Sequence, residues 1–543
     1  MSSEQKPAIN IVVTGDVTMD WNLARTGSNG EQSVTWNPDI CTHTSWQRGG
    51  AALLADLIET IVTSSESLSD LTVNLYQTGA PRAAVDPGDG RHHHSYAIWS
   101  PVQDGKQVVW RVTESLGIDR CPGDDQSSVD EFQLVANEPD RVDLLVLDDA
   151  DLGFRYNEGF WPRCLKDGSP GMWVVLKMSK PVARGPLWEH LIGNFAERLI
   201  TITTVDDLRR TAVQISEGLS WERTAQDLAW ELVHSPRINS MSRCAKTIVS
   251  FGPAGVFILG RAPRNNASAG TEELIDWERK LVFDPEVIES MWEAQQPGGV
   301  IGYTTCLLGG IIQERLTSLE DPAILPGVES GLEALRALHK GGYANIGSQS
   351  RPHLIFPIEQ VARYLSRKPE NFARVDIQDP VLFLHKETGE ELQPPQDGFW
   401  TVLGDRYQAD LDRIGQQIVL ESGERILRDV PLGIFGGLFT VDRQEIESFR
   451  SIGNLAAEYL SQARPKRPLS IAVFGAPGSG KSFGISQVAN SLAPGRIKVL
   501  EFNLSQFKST DELSDALHQV RDVNLSGKFP LVFWDEFDTP LSG

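Results

Sequence analysis

One segment near the carboxyl end of the chain constrains the fold more than any other: a glycine-rich loop between a predicted strand and a predicted helix. Residues 469–474 form a short apolar run rich in strand formers, and they lead directly into GAPGSGKS. Apolar residues then recur at helical spacing from Ile485 to Leu492, and Pro494-Gly495 ends the pattern. Strand, loop and helix in this order are the context that a phosphate-binding loop requires.

The loop also has the chemistry that a nucleoside triphosphate needs. Its glycines let the backbone curl so that N–H groups point inward, and the start of the helix adds a favourable field for phosphate oxygens. We expect Lys481 to reach the β and γ phosphates and Ser482 to ligate magnesium. The predicted nucleotide-binding residues are Gly475, Ala476, Pro477, Gly478, Ser479, Gly480, Lys481 and Ser482.

A second motif argues against a chance match of a glycine-rich turn. Residues 529–538, FPLVFWDEFD, predict a buried strand that ends in carboxylates. Asp535 would hold magnesium together with Ser482, and Glu536 would act as the catalytic residue by orienting and polarising the attacking water. Buried strand ends seldom carry three acids, here completed by Asp538, unless a positive group lies nearby.

Between the two motifs, the sequence predicts a strand over residues 497–502 and a helix that a capping box opens at Ser509. From about residue 465 onward the chain resembles the ATPase core of the AAA family and its P-loop relatives, with GAPGSGKS as Walker A and LVFWDE as Walker B. The resemblance implies ATP and Mg²⁺ as cofactors and a partial P-loop NTPase sheet.

The strands that carry a sensor residue and an arginine finger in the AAA family do not follow within this sequence. An arginine finger contributes about 10³ to 10⁵ in rate. Residues 1–543 are therefore expected to bind ATP and magnesium but to hydrolyse ATP slowly, and Glu536→Gln is expected to change turnover little.

The N-terminal half alternates predicted strands with predicted helices. Strands are predicted over residues 10–14, 142–147, 172–177, 199–203, 247–251 and 256–259. This alternation predicts an α/β fold, with a mostly parallel sheet sandwiched by helices and ligands at the carboxyl ends of its strands. Asp16 and Asp20 follow the first of these strands directly, within GDVTMDW.

These segments resemble the ribokinase-like, or PfkB, carbohydrate kinase family across roughly residues 8 to 340. GDVTMD is similar to the family's first strand, with Asp20 as its substrate-contacting aspartate. GGAALLA, from Gly49, is similar to the glycine signature, and IVSFGPAGVFIL to the strand-turn-strand beside the nucleotide site. GGVIGYTTCLLGGI, from Gly298, matches the helix start where the family places its anion hole and catalytic base.

Three departures from that family concern its chemistry. Ile301 stands where the catalytic aspartate is expected, Leu54 replaces the asparagine of the glycine signature, and residues 203–208, TTVDDL, lack the asparagine-and-glutamate pair for magnesium. Because isoleucine cannot take a proton, the resemblance implies a pseudokinase that still binds a sugar, nucleoside or nucleotide. A structural relic with solvated acids is the alternative.

The rest of the chain shows no catalytic constellation. We predict three domains: a ribokinase-like sensor over residues 1–340, a mixed α/β middle module with a linker over 341–464, and the start of the ATPase domain over 465–543. His353 and His385 stand alone and are interpreted as structural. The spacing of Asp442 and Glu445 predicts a capped helix that couples the middle module to the ATPase.

Composition limits the partners and the compartment. The chain has 50 basic and 73 acidic residues, a net charge of −23, which makes nucleic acid an unfavourable partner. Five scattered cysteines and no apolar signal segment predict the cytoplasm, and no apolar run is long enough to span a membrane. Residues 92–94, three histidines, are expected in an exposed loop rather than in a metal site.

Three functions remain open on the sequence alone. The leading hypothesis is an ATP-binding regulatory ATPase with a degenerate sugar- or nucleoside-kinase-like sensor domain. The first alternative is an active PfkB-type kinase that uses another acid, such as Asp16, Asp20 or Asp148, in place of Ile301. The second is an ATP-driven assembly scaffold in which a homo-oligomer or a protein partner completes hydrolysis.

Overall fold

A computed structural model describes the chain over most of its length, with gaps. The described residues are 8–25, 42–78, 93–104, 107–119, 134–261, 277–288, 298–318, 324–348, 351–367, 369, 372–378, 400–407, 411–421, 426–462, 467–475, 478 and 480–536. They form two compact units. The first comprises Met1–Glu217, Ala225–Asp284 and Ile288–Gly398, and the second comprises Gly218–Thr224, Pro285–Val287 and Phe399–Gly543.

The first unit is built on two sheets. Its strands are β1 (Ala8–Gly15), β2 (Val17–Arg25), β3 (Thr42–Gly50), β4 (Thr72–Gln77), β5 (His93–Asp104), β6 (Gln107–Asp119), β7 (Leu144–Asp149), β8 (Trp173–Met178), β9 (Leu199–Thr204), β10 (Lys246–Ser250), β11 (Gly255–Arg261), β12 (Trp277–Phe283), β13 (Ala344–Asn345), β14 (Leu354–Ile355) and β15 (Ala373–Asp376).

The large sheet has nine strands in the order β15-β12-β11-β10-β9-β8-β7-β1-β4. The strands β4, β1, β7, β8, β9 and β10 run parallel to one another, and β11, β12 and β15 are added antiparallel. All six residues of β7 are buried, as expected for a parallel strand with both faces covered. The predicted α/β class with a mostly parallel sheet is therefore confirmed, and the predicted strand-turn-strand is β10 and β11.

The smaller sheet has the order β3-β2-β5-β6, in which only β2 and β5 are parallel. It includes His93 and His94, so the prediction of an exposed loop there is wrong. Trp21 donates a hydrogen bond to His94 Nδ1 at 3.1 Å, because the two residues lie on adjacent strands. His92 lies outside the described residues.

Helices cover the large sheet. They are α1 (Ala51–Ser64), α2 (Arg163–Asp167), α3 (Pro186–Asn194), α4 (Val205–Arg209), α5 (Trp221–His234), α6 (Tyr303–Thr317), α7 (Leu325–Gly341) and α8 (Ile358–Leu365). On one face, buried side chains of α1, α6, α7 and α8 pack with alternate strand residues such as Ile11 and Val146. The pattern follows from the period of two along a strand and of 3.6 along a helix.

The three-domain division stays a prediction. One finding bears on its first boundary: β15, which that division assigns to the middle module, pairs with β12 of the large sheet. The β13–β14 hairpin and α8 also belong to the first unit.

The second unit is smaller and mixed. Its elements are α9 (Val402–Tyr407), α10 (Leu411–Glu421), β16 (Gly433–Phe435), β17 (Leu438–Thr440), α11 (Arg443–Ser461), α12 (Lys481–Leu492), β18 (Ile497–Asn503), α13 (Thr510–Leu525) and β19 (Phe529–Asp535). The β18 and β19 strands pair in parallel. Asp442 caps α11 by accepting from the Glu445 N–H at 2.9 Å, as predicted. At α13, Glu512 accepts from the Lys508 N–H, while Ser509 makes no side-chain cap bond.

Two expectations about this unit are wrong. Residues 469–474 do not form a strand, and Phe474 is 82% exposed. A strand needs a neighbour for its ladder hydrogen bonds, and neither β18 nor β19 pairs with this segment. The β19 strand is half-buried rather than buried, since β18 is its one described neighbour.

No helix in the described part of the chain is long and apolar enough to cross a membrane.

Leu54 tests the packing of the first unit. Its side chain is fully buried in the α1 face of the core, so Leu54→Asn places an amide in an apolar site. We expect the free energy of unfolding to fall by about 3 kcal/mol, measured by urea denaturation. Thr63→Asn, at an exposed position of the same helix, should change it by less than about 0.5 kcal/mol. A loss of under about 1 kcal/mol at Leu54 would contradict its place in the core.

Candidate functional site

Charged side chains gather where the parallel strands of the large sheet end. Asp16 follows β1, Asp148 and Asp149 end β7, and Lys177 lies near the end of β8. The carboxyl ends of parallel strands meet at one edge of a sheet, which brings these residues together although more than a hundred positions separate some of them.

Asp16 anchors the backbone and is not available to a ligand. Its carboxylate is 1% exposed and accepts the N–H groups of Ala150, Leu152 and Phe154 at 2.8 to 3.1 Å. Burial raises the pKa of Asp16, and the three hydrogen bonds oppose that rise. The loop after β7 thus holds both oxygens of Asp16, one of the three acids that the alternative kinase hypothesis offers in place of Ile301.

Asp149 is also committed to the structure. Its Oδ1 accepts from Arg155 Nε at 2.8 Å, and Arg155 donates in addition to the Pro181 carbonyl at 2.9 Å. Burial raises the pKa of Asp149 to about 6 despite the opposing charge of Arg155. The Asp149–Arg155 ion pair therefore holds together the segment that follows β7.

Asp148 and Lys177 differ from Asp16 and Asp149 because they can form further hydrogen bonds. Lys177 Nζ donates to Asp148 Oδ2 at 2.7 Å. Asp148 is 1% exposed, and its second oxygen, Oδ1, has no hydrogen-bond partner among the described residues. A buried carboxylate oxygen without a donor is costly, so a donor from a bound ligand would stabilise it.

Asp20 completes this group from the smaller sheet. Its carboxylate accepts from Ser95 Oγ at 2.5 Å and from Thr18 Oγ1 at 2.8 Å. Burial raises the pKa of Asp20; the two hydroxyls and Lys177 oppose the rise, and Asp148 adds to it. Asp20, Asp148 and Lys177 thus form one electrostatic group, which we call the Asp20 cluster.

Gly49 makes room for the Asp20 carboxylate. It lies on β3 opposite Thr18, and a Cβ at this position would stand 2.2 Å from Asp20 Oδ2. Any larger residue would displace the carboxylate. The first residue of the glycine signature is therefore explained by its approach to Asp20.

The start of α6 has no acid. Ile301 is 38% exposed and lies directly before Gly302, the residue that caps α6. Val112 of β6 and Gly299 exchange backbone hydrogen bonds at 2.9 and 3.1 Å, which docks this loop on the smaller sheet. The helix start offers N–H groups to an anion, but the side chain that precedes it cannot accept a proton.

A trio of side chains beside this helix was not anticipated from the sequence. Tyr303, the first residue of α6, shares a hydrogen bond with His339 Nδ1, and Arg111 Nη1 lies 3.4 Å from His339 Nε2. Burial, reinforced by Arg111 and Lys340, lowers the pKa of His339 to about 4. Because arginine only donates, neutral His339 accepts at Nε2 and donates from Nδ1 to the Tyr303 oxygen. No motif marks these residues, which come from three separate elements.

In the second unit the glycine loop leads into α12 as predicted. Gly478 and Gly480 have φ of 79° and 78°, a region that favours glycine, and Gly480 caps α12. Lys481 Nζ donates to the Gly475 carbonyl at 2.7 Å, and Ser482 lies in the first turn. Ala476, Pro477 and Ser479 lie outside the described residues.

The acidic motif lies at the end of β19. Asp535 is the last residue of the strand, next to Asn503 of β18, and Glu536 follows it; both acids are exposed. The α12 helix contacts both strands. The predicted roles of Glu536 in catalysis and of Ser482 and Asp535 in metal binding stay predictions. Asp538 lies outside the described residues.

Among the described residues, no group of three or more His, Cys, Asp or Glu side chains is arranged to hold a metal ion. A magnesium site of the predicted kind uses few protein ligands and draws the rest from phosphate and water.

Comparison with known proteins gives structural neighbours only. No family model and no curated protein matches the chain. A possible 1-phosphofructokinase of Thermotoga maritima is 11% identical, covers 68% of this chain and 100% of its own, and has a TM-score of 0.34. Phosphofructokinase-2 of Escherichia coli in complex with substrates and products is 13% identical, covers 66% of this chain and 100% of its own, and has a TM-score of 0.35. A carbohydrate kinase of Agrobacterium tumefaciens is 11% identical, covers 68% of this chain and 100% of its own, and has a TM-score of 0.32.

The trio at α6 predicts a pH dependence of stability. His339 is neutral in the folded protein down to about pH 4, whereas the unfolded chain takes up a proton on histidine below about pH 6.5. Stability is therefore lost as the pH falls through this window, by about 3 kcal/mol. His339→Gln should remove that part of the pH profile of the unfolding free energy, measured by urea denaturation between pH 4 and 7. His353→Gln, at an exposed position, should leave it in place. Parallel profiles for wild type and His339→Gln would contradict the assignment.

Proposed function

We propose that this chain is an ATP-binding regulatory protein whose first unit binds a sugar or nucleoside without phosphorylating it. The observation that carries the proposal is the start of α12, where Lys481 and Ser482 follow two glycines in left-handed conformation. This is the arrangement in which a loop and a helix start hold the phosphates of a nucleoside triphosphate.

The second unit would bind ATP together with Mg²⁺. Lys481 would leave the Gly475 carbonyl and pair with the β and γ phosphates, while the loop N–H groups hold their oxygens. The hydroxyl of Ser482 and the carboxylate of Asp535 are hard oxygen donors of the type that magnesium prefers. When bound, the metal would neutralise charge that builds up on the phosphate oxygens.

The first unit would bind its ligand at the Asp20 cluster. A hydroxyl group of a sugar or nucleoside can donate to Asp20 or to Asp148 Oδ1, which has no partner among the described residues. It can also accept from Lys177, whose side chain is 17% exposed. Acceptors and a donor in one group match the vicinal hydroxyls of a sugar.

Transfer of a phosphoryl group to that ligand needs a base. The resemblance to carbohydrate kinases places this base just before α6, and Ile301 stands at that position. Binding without transfer makes the first unit a sensor. Its occupancy would bias the nucleotide state of the second unit, as ligands of P-loop proteins do through neighbouring segments. We place the protein in the cytoplasm, since Cys164, Cys244 and Cys306 are buried free thiols.

ATP binding depends on Lys481 in this proposal. Lys481→Ala should lower the affinity for ATP with magnesium at least tenfold, measured by isothermal titration calorimetry, because a positive charge opposite the β and γ phosphates is lost. Lys498→Ala removes the same charge from an exposed position of β18 and should leave the affinity unchanged. Equal affinity of wild type and Lys481→Ala would remove the proposal.

A second candidate function, an active sugar or nucleoside kinase, is favoured by Asp20 itself. A carboxylate with a raised pKa beside a lysine is a better general base than an ordinary aspartate. In this reading Asp20 would take the proton of the ligand hydroxyl as the phosphoryl group arrives.

Ribose, fructose and adenosine separate the two candidates when tested in the Lys481→Ala background, in which the glycine loop cannot contribute. We expect at least one of them to bind, to bind at least tenfold more weakly to Asp20→Asn, and to yield no phosphorylated product with ATP and magnesium. Asp167→Asn, an exposed change, is the control. Product that forms with Asp20 and disappears in Asp20→Asn would establish the kinase instead, and affinity unaffected by Asp20→Asn would exclude the Asp20 cluster as the site.

A further inference from the structure

We propose that the first unit has a second binding site, for the phosphate monoester of a small metabolite, in a groove between α1, α8 and the β13–β14 hairpin. The groove has a volume of about 820 Å³. That size is within the range of sites that bind small molecules. We call it the α8 groove.

The α8 groove is distinct from the Asp20 cluster. None of the three residues of that cluster lines it. It lies at the edge strand of the large sheet, where Gln77, the last residue of β4, forms part of its wall. The carboxyl end of a parallel strand is a general place for ligands.

Two arginines bring positive charge to the groove. Arg363 lies in the last turn of α8 and Arg367 follows the end of the helix; both line the groove and are exposed. Neither forms an ion pair with a described residue, and the guanidinium of Arg367 lies 4.7 Å from the Tyr364 ring. Arg48, in contrast, is paired with Asp56 at 2.5 Å on the opposite wall. Together with Glu359, the α8 wall therefore contributes two positive side chains and one negative side chain to the lining.

Two guanidinium groups that line one groove suit a phosphate better than a carboxylate. Each guanidinium can donate two parallel hydrogen bonds, and a phosphate monoester offers three charged oxygens to receive them. The net charge of −23 over the whole chain disfavours a polyanion such as nucleic acid. A small anion can enter a local positive site of this kind.

The remaining walls suit the hydroxylated body of such a metabolite. Gln77 and Gln360 offer amides, and Gln77 Oε1 has no hydrogen-bond partner among the described residues. Glu59 and Glu359 can accept hydrogen bonds from hydroxyl groups, while Phe356 supplies apolar surface. A sugar phosphate or a nucleoside monophosphate combines a dianionic head with donors of this type.

The test uses the full chain in the Lys481→Ala background, so that phosphate cannot bind at the glycine loop. Ribose 5-phosphate, AMP, inorganic phosphate and uncharged ribose are titrated calorimetrically. We expect ribose 5-phosphate or AMP to bind, and the double change Arg363→Ala with Arg367→Ala to weaken that binding at least tenfold, or about 1.4 kcal/mol. The two phosphorylated probes distinguish a sugar phosphate from a nucleotide.

Two controls make the result specific. Arg351→Ala removes an exposed arginine that does not line the groove and should leave the affinity unchanged. The unfolding free energy of the double variant should match that of the parent, since both arginines are exposed. Absence of binding by either phosphorylated probe at millimolar concentration, an unchanged affinity in the double variant, or an equal loss in Arg351→Ala would each overturn the proposal.

Discussion

The first unit depends on one buried residue, Asp16. Its carboxylate accepts three backbone N–H groups from the loop after β7. Its own N–H donates to the Asp148 carbonyl at 2.8 Å, and its carbonyl accepts from the Ala51 N–H, the first residue of α1, at 2.9 Å. One residue thus ties the end of β1 to β7, to the start of α1 and to the start of β2. A buried carboxylate is tolerated there because its hydrogen bonds are made.

The position of the Asp20 cluster follows from that tie. With the β1–β2 junction held against β7, the smaller sheet follows directly from the carboxyl end of the large one, and the charges of Lys177 and Asp148 act on the pKa of Asp20. Gly49 keeps β3 close enough to β2 for this without touching the carboxylate. Precise placement of a polar group on rigid strands is what a binding site requires.

The second unit shows which structural features a local sequence motif can predict. The turn at Gly478 and Gly480, the start of α12 at Lys481 and the cap of α11 at Asp442 were all predictable, because each depends on residues within one or two turns. The strand expected over residues 469–474 does not form, although the composition of this segment is typical of a strand. Its formation requires a partner strand, and the described residues supply none to it.

The sequence by itself determined the α/β class, the strand-helix alternation, the positions of β1, of β7 to β11 and of β18 and β19, and the place of Ile301 before α6. These features depend on periodicity and on residues close along the chain. Only the tertiary structure decided that Asp16 is a structural anchor while the charge of Lys177 acts on Asp20, that His339 joins Tyr303 and Arg111, and that Arg363 and Arg367 line a groove. The physical reason is that burial, pKa and bonding capacity depend on partners that can lie hundreds of residues away, as Arg111 and His339 do, and local pattern carries no information about such pairs.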